Sequence, residues 1–409
     1  MSIATNQHAP TGSTAARDAG GAVAPPALRD AFATVASPAA LRSSAAAETV
    51  TVASRHREAG RASRQRTHVD RGLTTVAAPL ALKDRIQFRA LEAANRFGVI
   101  RTFDIAACCF PERPFKAALT AAQRAMRGLV KSGLLKRYRT DRQQHVYGLT
   151  RAGARFLEDR GVEARATVQR VADMTNPEHL LWSSFIVTCC EARGLKAQTE
   201  SELLRSLHQA ATAGPKTRGL LQVCIETVTK KTLTRALRPD AIALERDGVT
   251  WFEVDRSRRA DDRAASLRAL FCSVGHILNN GQRLKRVAVL ARSERILTNA
   301  LSNASKLIGD PEALKGGNSG RAVLRRVAGS NDIFEVWYAQ EVVDFDGTSH
   351  TEPAFGGHVI IQMLPLNLPK FRLDGRNVAS TEGWFPDNYL PYVRPDKLGR
   401  WPTPMSPLL

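Results

Sequence analysis

The stretch "RPDAIALERDGVTWFEVDRSRR", Arg238 to Arg259, sets Asp240, Glu253 and Asp255 inside a short two-stranded pattern. Asp247-Gly248 is a strong two-residue turn signal, so "PDAIALE" and "VTWFEVD" are expected to pair as a hairpin around it. In that register Asp240 faces Asp255, Ile242 faces Glu253 and Leu244 faces Trp251. The two-residue period of a strand then puts the three acids on one face, while Ala241, Ala243, Phe252 and Val254 turn to the other and can pack on a helix. Opposed Cβ atoms lie only about 5 Å apart, so three carboxylates repel unless protons or a cation offset them. Mg²⁺ takes hard oxygen ligands, commonly one or two carboxylates with water and phosphate oxygens. Asp240 and Glu253, with the Val254 carbonyl, suit such an ion, which makes Asp240, Glu253 and Asp255 the candidate catalytic residues and Mg²⁺ the candidate cofactor. The alternative is that Arg256, Arg258 and Arg259 pin the acids as a surface ion-pair cluster.

The residues around the hairpin read as mixed α/β. "EHLLWSSFIVTCCEARG" is helical and "KAQTESELLR" contains a strand. After the hairpin, Ala264, Leu267, Phe271 and Val274 share a helical face; "RVAVLAR" is a buried strand, "SERILTNALSNASKLI" a helix and "IFEVWYAQ" a last strand. Strands interleaved with helices imply a mixed central sheet covered on both sides. "KGGNSGR" lacks the spacing and ending of a phosphate-binding loop and reads as a plain loop. After residue 350 the chain reads as loop, since nine of its twenty prolines lie between 353 and 409, with Phe355, Phe371, Trp384, Phe385, Tyr389, Tyr392 and Trp401 among them. Aromatics in such a tail more often pack back on a domain than bind a ligand, with a partner-docking arm as the alternative.

Charge separates a second region. The chain of 409 residues carries a formal charge of +20, which points to a polyanionic partner, nucleic acid before an acidic membrane surface. Residues 79–170 hold 19 Lys or Arg against 8 Asp or Glu, a concentration that even drift towards basic residues would not produce. Within them Ile86, Ala90, Ala93 and Phe97 mark one helix, ended at Gly98, and Thr102 is the expected cap of a second. In a third, Leu119, Ala122, Met126 and Leu129 share a face and Gly133 stops it. "LLKRYRTDRQQHVYGLT" then gives two strands around a polar turn, and Thr150 caps a last helix. Helix, helix, basic helix, hairpin, helix is the order of a winged helix-turn-helix, and "YGLTRAGARFLE" resembles the wing exit of many bacterial transcription-factor domains. Such a module places Gln123, Arg124 and Arg127 of the third helix near base edges, with Lys116 and Lys131 on the same basic helix. Lys136, Arg137, Arg139 and Arg142 of the wing then meet the phosphates of double-stranded DNA.

Two resemblances sharpen these readings. Pro239-Asp240 on one strand and Glu253 on the next resemble the PD-(D/E)xK nuclease superfamily, which implies a mixed sheet and a metal site for phosphodiester hydrolysis. Where an active member carries lysine, this chain has Asp255; Arg263 or Arg268 on the following helix is the substitute to consider, and Glu200 or Glu202, expected on the preceding strand, could complete the acids. Pro239-Asp240-Ala241, Glu253-Val254-Asp255-Arg256 and His179 in "EHLLW" are similar to the replication-relaxation family of bacterial plasmids and integrative elements, over roughly residues 84–290. That resemblance implies a DNA-binding accessory protein acting in plasmid replication, DNA relaxation or mobilisation, alongside other plasmid proteins. A Mg²⁺-dependent endonuclease and a winged-helix regulator remain the alternatives. A relaxase is disfavoured, since none of the nine histidines forms a His-hydrophobic-His cluster with a nucleophilic tyrosine.

The expected organisation is a disordered tail over 1–78, a winged-helix DNA-binding domain over 79–170, a nuclease-like α/β domain over 171–345 and a Pro-rich extension over 346–409, α+β overall. Six cysteines without zinc spacing fit small buried residues in a reducing cytoplasm, and no apolar run is long enough to span a membrane. A homodimer is compatible with this organisation.

Overall fold

The computed structural model of the chain describes residues 79–140, 144–174, 177–210, 219–226, 232–255, 261–315, 322–364 and 390–405. The expected tail over 1–78 lies outside them. Among the described residues there are nine α-helices, a seven-stranded mixed sheet and two separate two-stranded sheets.

The basic region folds first in chain order. Helices α1 (Pro79–Phe97), α2 (Thr102–Cys109) and α3 (Phe115–Lys131) lead into an antiparallel hairpin of β1 (Leu135–Arg139) and β2 (His145–Leu149), and α4 (Arg151–Glu158) follows. The apolar spacing explains the packing, since Ala90, Ala93 and Phe97 of α1 and Ala122, Met126 and Leu129 of α3 are all buried. Thr150 caps α4 as expected, its hydroxyl oxygen accepting the Gly153 amide at 3.0 Å. Thr102 does not cap α2, because Arg101 holds that position. The Asp104 carboxylate reaches back to the Arg101 amide at 2.7 Å and pairs with its guanidinium at 2.7 Å, and both groups are buried. Arg101 also donates to the Leu181 carbonyl at 3.0 Å, which ties this region to the next.

After α5 (Val168–Ala172) and α6 (Glu178–Glu191) come β3 (Lys196–Thr199), α7 (Glu200–Ala210), the β4–β5 hairpin (Leu221–Glu226, Thr232–Leu237), β6 (Ala241–Glu245) and β7 (Gly248–Asp255). Then follow α8 (Asp261–Cys272), β8 (Leu284–Ala291), α9 (Glu294–Ser305), β9 (Val323–Arg326), β10 (Ile333–Val343) and β11 (Ser349–Met363). The large sheet runs β3-β6-β7-β8-β11-β10-β9, with β7, β8 and β11 parallel and the other neighbours antiparallel.

The expected alternation holds along β6 and β7. Ala241, Ala243, Phe252 and Val254 join a core with Trp182, Phe185 and Ile186 of α6 and with the helices of the basic region. Ile242, Val249 and Trp251 join a second core with Leu267, Leu270 and Phe271 of α8 and Ala300 of α9. Helix α6 is therefore apolar almost all round, lying between the sheet and α2. A one-residue slip of β7 would exchange the faces of Trp251 and Phe252, both fully buried. Each contributes about 1.5–3 kcal/mol by leaving water, so the faces are firmly set.

Three expectations are overturned. "KAQTESELLR" is strand only to Thr199, and Glu200 and Glu202 sit in the first turn of α7, where acids suit a helix N-terminus. The segment read as loop after residue 350 contains β11, which lies between β8 and β10 in the sheet. "IFEVWYAQ" is accordingly not the last strand. Its hairpin with β11 breaks register between Val336 and Trp337, opposite Gly356-Gly357. There β11 passes so close to β8 that a Cβ on Gly357 would lie 1.9 Å from the Lys285 carbonyl oxygen.

The described end of the chain packs back on the sheet. Tyr392 is fully buried between Phe252 and Trp401, with ring centroids at 5.9 and 5.0 Å. Its hydroxyl donates to Glu245 at 2.8 Å, in a buried polar cluster where Arg286 binds Glu245 at 3.1 Å, Thr250 at 2.8 Å and both oxygens of Asp247. Burial pushes the Tyr392 phenol above its usual range, with the Glu245 charge acting the same way. Phe371, Trp384, Phe385 and Tyr389 lie outside the described residues. Among the described residues no helix is long and apolar enough to cross a membrane. Cysteines 109, 189 and 190 are buried as expected, whereas Cys224 is exposed on β4.

Candidate functional site

The β6–β7 register differs from the expected one by two residues. Glu245 pairs with Gly248, Ala243 with Thr250 and Ala241 with Phe252, so Arg246-Asp247 forms the two-residue turn. Tertiary contacts outweigh the local Asp-Gly preference. Asp247 is held by Arg286, and Gly248 passes against β8 at φ +142, where a Cβ would lie 2.5 Å from the Arg283 carbonyl oxygen. A shift of two keeps every side chain on its expected face but changes the partners. Continued one step, the ladder sets Asp240 opposite Glu253 rather than Asp255.

Asp240 ends that ladder. Its amide donates to the Phe252 carbonyl at 3.0 Å, and its Oδ2 accepts the Val254 amide at 2.6 Å. Its Oδ1 lies 2.9 Å from Nε2 of His179, on the first turn of α6. Val254 therefore meets Asp240 through its N–H. Glu253 is half-buried and accepts the Trp251 indole N–H at 2.8 Å. Glu200 approaches from the β3 side, its amide bonding to the Asp240 carbonyl at 3.3 Å and its carboxylate 3.6 Å from Arg238. Arg292, just past β8, lies 3.6 Å from the buried Glu178.

Asp240 and His179 thus meet beside the ends of β7 and β8, the carboxyl edge of the parallel strands, where open α/β sheets commonly bind ligands, with Glu200 bonded to Asp240 through its backbone and Glu253 bonded to Trp251. The Asp255 side chain and Arg256, Arg258 and Arg259 lie outside the described residues. Other candidates are placed elsewhere. Glu202 accepts from Arg96 and from the Thr199 amide at 2.9 Å, and these bonds hold its carboxyl below its usual range against the opposing effect of burial. Arg268 donates to Asn303 of α9 at 2.7 Å, and Arg263 is exposed on α8. Among the described residues no group of three or more His, Cys, Asp or Glu side chains is placed to hold a metal. The donor chemistry for Mg²⁺ consists of Asp240 and Glu253, with Asp240 already bonded to His179 and to a backbone amide.

The basic surface is the second constituent. Gln123, Arg124, Arg127 and Lys131 of α3 are exposed, as are Lys136, Arg137 and Arg139 of β1. Arg127 donates to the Gln123 carbonyl at 3.2 Å, and the Lys136 ammonium lies 5.3 Å from the ring centre of half-exposed Tyr138. The Lys116 side chain and all of Arg142 lie outside the described residues.

Both constituents fall within one matched segment. Residues 91–267 match the replication-relaxation family. The replication-relaxation segment runs from within α1 into α8, so it includes the basic helix and hairpin, His179 and both acidic strands. It lies inside the span expected from the "PDA" and "EVDR" motifs, and the motif residues stand at the start of β6 and the end of β7. No curated protein and no solved structure gives a significant match. His179, marked in sequence by the "EHLLW" resemblance, is brought onto Asp240 by the fold from a helix far back in the chain, a partnership the motif does not itself reveal.

Proposed function

We propose that this protein binds double-stranded DNA as an accessory factor in the replication, relaxation or mobilisation of a plasmid or mobile element. The supporting observation is the run of exposed cations along α3 and β1, in a region with the element order of a winged helix-turn-helix. In that reading α3 enters the major groove with Gln123, Arg124 and Arg127 towards base edges, while Lys131, Lys136, Arg137 and Arg139 meet phosphates. The match to the replication-relaxation family supplies the biological setting.

The test is fluorescence anisotropy of the full chain on a panel of duplexes. Substituting Gln123, Arg124 and Arg127 with Ala should flatten differences among sequences, whereas Lys136→Ala with Arg137→Ala should weaken all duplexes alike. Equal affinity of every variant for every duplex would remove the proposal.

One observation favours a second activity on the same chain. Asp240 lies at the carboxyl edge of parallel strands with His179 on it and Glu253 on the adjoining β7, carboxylates of the kind that Mg²⁺-assisted phosphodiester cleavage employs. There Asp240 and Glu253 would hold the ion, which supplies charge stabilisation, and His179 orients Asp240. Supercoiled plasmid incubated with Mg²⁺ or Mn²⁺ should be nicked by the wild type and not by Asp240→Ala/Glu253→Ala. Nicking by both, or by neither, would dismiss it.

A further inference from the structure

The β10–β11 hairpin continues well beyond the sheet. Strand β9 pairs with β10 only at Phe334–Trp337, and β8 pairs with β11 only at His358–Met363, so among the described residues no further strand pairs with the outer part on either edge, although Pro311–Leu314 packs beside the hairpin and Lys315 faces Glu352. That part pairs only with itself, from Ala339 opposite Pro353 to Val343 opposite Ser349, and closes through Asp344–Thr348. Its tip carries Phe345 with the whole side chain in water, and Val343 is 65 % exposed. The ribbon is acidic in a chain of charge +20. Glu341, Asp344, Asp346 and Glu352 are exposed, there is no Lys or Arg between Arg326 and Lys370, and His350 sits between Asp344 at 3.1 Å and Glu352 at 3.3 Å.

Two exposed edges and an apolar tip are a surface that proteins normally cover or use. Charge selects the occupant. Nucleic acid is repelled, and a second ribbon laid along the first would oppose like charges across the pair. What fits is a cationic protein surface with an aromatic spot for Phe345, and the chain carries one in Lys131, Lys136, Arg137 and Arg139 around half-exposed Tyr138.

We propose that the ribbon docks on the basic α3–β1 face of a second copy of this chain. The two patches are different surfaces, so the contact is heterologous and joins copies head to tail. It requires only that the face be cationic, and so stands apart from whether that face binds DNA.

Sedimentation of the full chain tests it at about 0.15 M salt, where screening over about 8 Å suppresses the long-range repulsion of two +20 molecules but leaves charges in contact attracted. The mass should rise with concentration and return towards monomer near 1 M salt, where the screening length is about 3 Å. A ribbon variant, Asp344→Lys/Phe345→Ser/Asp346→Lys, and a face variant, Arg137→Glu/Arg139→Glu, should each associate at least about tenfold more weakly, since like charges then meet. Mixed in equal amounts they should recover a one-to-one complex, because each retains the patch the other has lost. All the substituted side chains are exposed, and unchanged melting verifies folding. A wild type that stays monomeric, variants that associate like the wild type, or a mixture that fails to recover would each overturn the proposal.

Discussion

The salt dependence of DNA binding is the prediction with the most structure behind it. Arg124, Arg127, Lys131, Lys136, Arg137 and Arg139 are the exposed cations of α3 and β1. If Lys131, Lys136, Arg137 and Arg139 each neutralise one phosphate while Arg124 and Arg127 face bases, log K falls against log salt with a slope of about −4, and doubling the salt weakens binding about 12-fold. Arg137→Ala/Arg139→Ala removes two contacts, so the slope should drop to about −2 and the gap from the wild type should shrink about 3-fold per doubling. Gln123→Ala carries no charge change and should leave the slope alone. Both arginines are exposed and have no ion-pair partner among the described residues, so stability should change by less than about 0.5 kcal/mol. The assay is anisotropy on one duplex across a salt series for the three proteins. A wild-type slope near −1, or a slope unmoved by loss of both arginines, would refute the assignment of phosphate contacts to these residues.

Three further outcomes follow from buried polar groups. Asp240→Ala strands the Val254 amide and removes the Asp240–His179 bond, and should cost about 1–3 kcal/mol in chemical denaturation while leaving duplex affinity unchanged. Arg286→Met takes one of two arginines from buried Glu245, leaving only Arg394, and also removes the bonds to Thr250 and Asp247, so it should cost about 3 kcal/mol, whereas Tyr392→Phe removes one hydroxyl from the same carboxylate and should cost about 1–2 kcal/mol. Glu335 is the acid-sensitive group. Burial acts to raise its carboxyl, but the hydrogen bonds and charges of Lys397 and Arg325 hold it down at about 2 against an ordinary 4.5. Being depressed on folding, it stabilises the fold above pH about 4.5, by about 1 kcal/mol once solvent screening of the two half-exposed cations is counted, and that contribution is lost as pH falls towards about 2. Urea midpoints of wild type and Glu335→Gln should therefore differ at pH 6 and converge in acid; a constant difference would contradict the pairing.

The elements legible in sequence are those whose burial is one-sided and whose ends carry local chemistry. The spacing of Ala122, Met126 and Leu129 and the cap at Thr150 each report a single physical constraint, and each emerges where expected. Strand β11 was not legible because it has two environments. From Ser349 to Phe355 it is the exposed ribbon, with a proline and polar residues; only after Gly356-Gly357 does it become the buried run "HVIIQM". A loop-like first half hides a core second half. The β4–β5 hairpin is not among the expected elements, although Leu221, Val223 and Ile225 of β4 alternate as a half-buried strand requires. The cap of α2 required weighing Asp104 together with Arg101, a pair whose burial is tertiary.

At the acidic hairpin, sequence determined which side chains share a face but not which acids meet. Face membership follows from strand period and is indifferent to a shift of two; partner identity depends on the turn, and the turn is set by Arg286 of β8 and by the passage of Gly248 against Arg283, just before that strand. The consequence is chemical. In the expected register Asp240 opposes Asp255, at the position where an active nuclease of the resembled kind carries its lysine; in the observed one Asp240 lies just beyond the ladder, takes the Val254 amide and leans on His179. The loss of lysine therefore weighs less on whether two carboxylates can share an ion than on what activates water beside them. That is why the nicking assay separates the two readings of this edge more sharply than metal binding would, since Asp240 and Glu253 can hold a cation in a protein that cuts nothing.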